Sequence, residues 1–121
     1  MRILIVDDSK AMRMIVQRTL KQAGFADHPT AEAGNGREAL AILRRERFDL
    51  VLCDWNMPEM SGIELLGVVT HEKLVPRFGF VTSEATVAMR QHAADAGASF
   101  LIGKPFTVEV FQQTLNGVLA A

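Results

Sequence analysis

One cysteine, Cys53, stands in the 121 residues of this chain. A single thiol excludes an internal disulfide and any metal centre built from several cysteines. It falls inside an apolar run, where a thiol packs as a small buried hydrophobe rather than serving as a reactive group. No apolar stretch approaches the ~20 residues that cross a bilayer, so no membrane-spanning helix is expected. No signal-peptide pattern opens the chain, because Asp7 and Asp8 interrupt the only apolar run there. Neither sign of charge is in excess: 13 basic and 14 acidic residues leave a formal net charge of -1. Nothing in that balance favours nucleic acid or an anionic membrane as a partner. The short cluster of Arg44, Arg45 and Arg47 reads as a solvated helix face. A soluble monomer in a reducing, cytoplasmic setting is the expectation.

What the chain does have is core. Hydrophobic residues make up 49% and charged residues 22%, which suits one ordered domain over residues 1–121. Strand-like and helix-like patterns alternate five times. Strands are expected at 2–7, 30–33, 49–54, 78–82 and 99–102, and helices at 10–23, 62–71, 85–96 and 107–119, with a further helix opened by Asn35 and Gly36 whose Ala39, Leu40 and Leu43 face inward. The strands at 2–7 and 49–54 are near-continuous aliphatic runs, as parallel strands covered on both faces are. Met12, Ile15, Val16, Thr19 and Leu20 recur at helical spacing, and Gly24 is a suitable stop. Ser61 can cap the third helix. Gly79, inside the fourth strand, calls for a close packing neighbour. The inward face of the fourth helix is rich in alanine, so that helix is lightly anchored. The pattern predicts an α/β fold, a doubly wound five-stranded parallel sheet with helices on both faces.

Ligands of such sheets bind beyond the carboxyl ends of the strands, and the polar residues gather there. Asp7 and Asp8 end the first strand, Asp54 the third, Thr82 and Ser83 the fourth, and Lys104 follows the fifth. Each close pair of carboxylates costs on the order of 4 kcal/mol at an effective dielectric near 20. A cation or a reaction is needed to retain them. Carboxylate oxygens are ligands for a hard ion such as Mg²⁺, and they do not suit zinc. Acids, a cation, an ammonium and a hydroxyl together describe a phosphoryl-transfer site, in which one aspartate can be the nucleophile.

Val6-Asp7-Asp8-Ser9, Asp54-Trp55-Asn56-Met57-Pro58, Thr82-Ser83-Glu84-Ala85 and Lys104-Pro105-Phe106 carry a family resemblance. In this order and spacing the chain resembles a response-regulator receiver domain, most of all the stand-alone chemotaxis (CheY-like) type. The resemblance implies a flavodoxin-like (βα)5 fold with strand order 2-1-3-4-5. It implies a two-component signalling switch rather than an enzyme, with self-catalysed phosphorylation and dephosphorylation only. Asp54 would accept phosphate from a phosphohistidine on a histidine kinase, with Thr82 and Lys104 contacting the phosphoryl group. Asp8 and Asp54 would ligate Mg²⁺ directly, Asp7 through water, and Asn56 through its backbone carbonyl. Lys104 would pair with a carboxylate at rest, and the Lys104-Pro105 bond would be cis. Asn56 and Glu84 would tune the loss of phosphate. With no output domain expected after the fifth helix, output would be contact with a downstream protein through the face from the fourth to the fifth helix.

The sequence departs from that pattern in places. The aromatic position on the fifth strand aligns with Leu101, and Phe100 stands one residue earlier. A leucine cannot report activation as a moving ring does, which leaves the coupling from Thr82 to the output face open. Val68 and Val69 either form an exposed contact surface or finish the third helix against the core. Trp55 reads either as core or as part-exposed beside the acid site. His28, His71 and His92 are scattered and are assigned no phosphotransfer role. Met12, Met14, Met57, Met60 and Met89 read as core and loop filler. Three other functions compete. A phosphate shuttle or sink in a phosphorelay would use the same residues. A flavin-binding flavodoxin-like protein would need a phosphate loop where Asp7 and Asp8 repel phosphate. A phosphatase of the haloacid-dehalogenase type would need Asp-x-Asp, whereas this chain has Asp7-Asp8-Ser9.

Overall fold

A computed structural model describes residues 1–119. The chain runs β1 (Ile3–Val6), α1 (Lys10–Leu20), β2 (Thr30–Ala33), α2 (Gly36–Arg45), β3 (Leu50–Cys53), α3 (Gly62–Glu72), β4 (Phe78–Thr82), α4 (Val87–Asp95), β5 (Phe100–Gly103) and α5 (Val108–Leu119). All strand pairs are parallel and the sheet order is β2-β1-β3-β4-β5.

The aliphatic runs follow from burial on both faces. Leu4, Val6, Val51, Cys53 and Phe80 pack with Leu40, Leu43, Leu65 and Leu66 on one side of the sheet. Ile3, Ile5, Leu50, Leu52 and Val81 pack with Val16, Leu20, Phe111 and Leu115 on the other. Successive strand side chains point to opposite faces, so each strand feeds two cores at once. The close neighbour of Gly79 is the Phe100 ring, whose Cζ would lie 2.1 Å from a Cβ built there.

Helix starts follow their caps. Ser9, Asn35, Ser61 and Thr86 each accept a backbone N–H from the first turn, the arrangement expected of short oxygen-bearing side chains at that position. At α3 Glu64 returns the bond to the Ser61 N–H and completes a capping box. The Thr86 cap makes α4 begin two residues later than its composition predicts.

Other departures are local. The first helix widens into a π-turn at Lys21–Phe25, where Gly24 adopts φ 101°. Ile15 and Met14, read as inward or filler, are 42% and 53% exposed. The buried stripe of α1 is Val16, Thr19 and Leu20, and Ile15 lies at its edge. Val69 is buried and Val68 partly so against the first core, which resolves that pair as the end of α3. Trp55 is 7% exposed and belongs to the core. Of α4 only Ala93 is buried among the described residues, consistent with light anchoring. No helix among the described residues is long and apolar enough to cross a membrane.

Candidate functional site

Strand register assembles the acid site. Val6 pairs with Cys53, and the next backbone bonds extend that ladder: Asp7 N–H to the Ala33 carbonyl at 3.1 Å and Asp54 N–H to the Val6 carbonyl at 2.9 Å. Asp7 and Asp54 therefore leave adjacent strands at the same height, about 4.8 Å apart by strand spacing. Oxygens of Asp7, Asp8 and Asp54 all lie within 4.8 Å of one another. Lys104 arrives in the same way, its N–H bonded to the Thr82 carbonyl at 2.8 Å. The Lys104-Pro105 bond is cis.

The ammonium of Lys104 sits between two of the acids, 3.3 Å from Asp7 Oδ2 and 3.5 Å from Asp54 Oδ2. Asp7 is buried, Asp54 half-buried and Asp8 exposed. The site thus has one acid inside, one outside and one at the mouth. Burial pushes the Asp54 carboxyl up, Lys104 pulls it down and Asp7 pushes it up again, leaving it above the ordinary value. Asp54 Oδ1 accepts the Trp55 N–H at 2.7 Å, and Asp7 Oδ1 accepts the Ser9 N–H at 2.9 Å.

The donor set is all oxygen, drawn from two strand ends and a following residue. That suits a hard divalent ion and offers nothing to a thiophilic one. Asn56 is exposed, and its amide donates to Glu84 Oε1 at 2.9 Å across the mouth of the site. Thr82 is fully buried, and its Oγ1 accepts the Glu84 N–H at 3.3 Å. Among the described residues its hydroxyl donates to no acceptor.

Gly62 permits the approach of α3. A Cβ there would lie 2.3 Å from the Asp54 carbonyl oxygen and 2.8 Å from the Phe80 ring, and the Gly62 N–H bonds the Trp55 carbonyl at 2.7 Å. Burial pushes the neighbouring Cys53 thiol well up, in keeping with a structural role.

The sequence residues 3–116 match the family model for the response regulator receiver domain. The chain belongs to that family. It is 39% identical over 120 residues to the chemotaxis protein CheY of Pseudomonas aeruginosa, covering 98% of this chain and 95% of that protein. It is 40% identical over 122 residues to a chemotaxis protein CheY homolog of Campylobacter jejuni, covering 98% and 92%. Among solved structures it is similar to the Vibrio cholerae chemotaxis protein CheY4, with a TM-score of 0.84, 34% identity and 97% of each chain covered. As a receiver domain it is a two-component response regulator, a family of phosphoacceptor switches that generally bind Mg²⁺ at an acidic pocket; here the matching group is Asp7, Asp8 and Asp54.

The receiver fold brings together Asp7, Asp8, Asp54, Thr82 and Lys104 as their strand-end positions predict, with Asn56 at the rim. It also recruits residues that the sequence did not single out. Arg13 donates to the Asp7 carbonyl and, at 2.8 Å, to Glu32 Oε1, tying α1 to the end of β1. Its signal was a cation one turn after Ser9, near the acids that end the first strand. Arg90 donates to the Leu101 carbonyl at 2.8 Å, and the His92 ring meets Trp55 at 5.5 Å. Neither contact has a sequence signal, because both depend on how α4 lies on the sheet.

Proposed function

We propose that Asp54 is the phosphoacceptor of this receiver, taking the phosphoryl group of a kinase phosphohistidine. The observation that carries the reading is the Lys104 ammonium held 3.3 and 3.5 Å from Asp7 and Asp54, with the buried Thr82 hydroxyl one strand away. An Asp54 carboxylate oxygen attacks phosphorus, the P–N bond breaks, and the imidazole leaves with its electron pair and is protonated. Lys104 offers its ammonium to the incoming phosphoryl oxygens, and Thr82 offers its hydroxyl proton. Asp8, Asp54 and the Asn56 carbonyl would hold Mg²⁺, with Asp7 acting through water; bound there, the ion would neutralise phosphoryl oxygens. The protein's own share is position and fixed charge. The phosphoryl group brings about -1.5 to -2 charges to one point, enough to bias a two-state element.

On this reading the protein catalyses only its own phosphorylation and dephosphorylation, in the cytoplasm. It works with a histidine kinase and a downstream protein reached through the α4–α5 face, and chemotaxis is the pathway its relatives' names indicate. Incubation with Mg²⁺ and acetyl phosphate should add one phosphoryl group to the wild type and none to Asp54→Asn. Equal labelling of both would overturn the assignment.

A further inference from the structure

Trp55 links the acceptor to α4. Its N–H holds Asp54 Oδ1 at 2.7 Å, and its ring is enclosed on several sides. The Phe80 ring lies 4.6 Å away, tilted by 34°. The His92 ring stands near edge-on, 5.5 Å away at 65°. Behind the backbone runs the start of α3, where Gly62 bonds the Trp55 carbonyl and leaves room for no more than a hydrogen.

These walls differ in how firmly they are held. Phe80 is fully buried in the central sheet. The α3 wall is fixed by its capping box and by the bond to Trp55. Helix α4 is different: Ala93 is its one buried residue among those described, with Met89 packing only partly against the core. Its other grip on the sheet is the Arg90 bond to the Leu101 carbonyl. Any adjustment of the indole is therefore taken up by α4.

We propose that His92 is a positioning residue for phosphoryl acceptance, orienting Asp54 through Trp55, and that the same contact carries the state of Asp54 into α4. The proposal rests on Asp54 being the acceptor. Before transfer, Oδ1 belongs to a charged carboxylate and accepts a charge-assisted bond from Trp55. After transfer to the other oxygen it is the carbonyl of an acyl phosphate, a weaker acceptor. The Trp55 backbone N–H is released by that change, and the ring carried on that backbone passes the shift to His92. Coupling of this kind is reciprocal: what α4 does to Asp54, Asp54 does to α4. A path across Trp55 needs no aromatic side chain at Leu101.

Trp55 is the chain's one tryptophan, so all indole emission comes from this ring and its surroundings. His92→Ala should shift that emission and slow phosphorylation by acetyl phosphate with Mg²⁺ about two- to tenfold, the range one aromatic contact can supply. His92→Phe, which keeps an edge-on ring, should restore both. On adding beryllofluoride and Mg²⁺, amide signals of α4 should move in the wild type and far less in His92→Ala, while those of Asp54 and Lys104 move in both. His92 is exposed, so the alanine variant should stay folded, which its amide spectrum verifies. A wild-type rate together with a wild-type α4 response in His92→Ala overturns the coupling. A wild type that takes up no phosphoryl group on Asp54 overturns the acceptor assignment instead, and the coupling with it.

Discussion

Replacing Asp54 with asparagine should make the metal-free protein more stable. At an effective dielectric near 20, the attraction across the 3.5 Å between Lys104 and Asp54 is worth about 5 kcal/mol. Repulsion of Asp54 by Asp7, at a separation up to 4.8 Å, takes back about 3.5 kcal/mol of this, and burial of the charged carboxylate is the largest cost of all. Asp8 is exposed, and water screens its repulsion. Removing the charge therefore yields a net gain of about 1 to 2 kcal/mol, or about 3 to 8 °C in the melting midpoint for a chain of this size. The Asp54 carboxyl is raised for the same reason, burial first, with Lys104 opposing and Asp7 adding to it. A group raised in the folded state favours folding when protonated, and that contribution disappears as pH rises through its folded value. The advantage of asparagine should thus be full near pH 7.5 and shrink on acidification, as the wild-type carboxyl takes up its proton. Excess Mg²⁺ should reverse the order, because the ion stabilises the folded wild type and has lost a ligand in the variant. Thermal unfolding followed by circular dichroism between pH 5 and 8, with and without Mg²⁺, tests every part. A less stable Asp54→Asn protein without metal at pH 7.5, or an advantage that grows on acidification, would refute the reasoning.

Gly62→Ala should lower the denaturant midpoint by the equivalent of about 1 to 3 kcal/mol, the usual cost of overpacking, because its Cβ meets the Asp54 carbonyl oxygen at 2.3 Å. It should weaken Mg²⁺ binding at the same time, as seen by Trp55 fluorescence. Lys104→Met leaves the acids without their internal cation, so Mg²⁺ should bind more tightly while phosphorylation by acetyl phosphate slows; tighter binding without slower transfer would remove Lys104 from the chemistry. Ser61→Ala deletes the hydroxyl's bond from the Glu64 N–H while the backbone N–H at position 61 can still donate to Glu64 Oε1, and it should cost about 1 kcal/mol in urea unfolding.

The order of elements was legible in the sequence because five strand-like segments, two of them aliphatic runs, alternate with five helical stripes, and a parallel sheet turns that alternation directly into topology. The placement of Asp7, Asp8, Asp54, Thr82 and Lys104 was legible for the same reason: each follows the end of a strand, and parallel register sets strand ends side by side. Helix packing was less so. Ile15 fits the helical period of α1 and still reaches solvent, because a stripe defines a face but not how far the neighbouring helix covers it. Trp55 could not be placed from its own position, since its burial comes from Phe80 and His92, 25 and 37 residues further on. Arg90 lay outside every pattern, its partner being a backbone carbonyl that no side-chain sequence can reveal.

The contact between Lys104 and Asp7 spans 97 positions of the chain. It joins the first strand to the residue after the last, so the loop it closes contains nearly every element of the domain. A contact closing a loop of that size is among the slowest kind to form. On the proposed reading the acid site is therefore completed only when the whole sheet is: a chain lacking β5 and the residues after it would carry all three aspartates without the Lys104 ammonium between them.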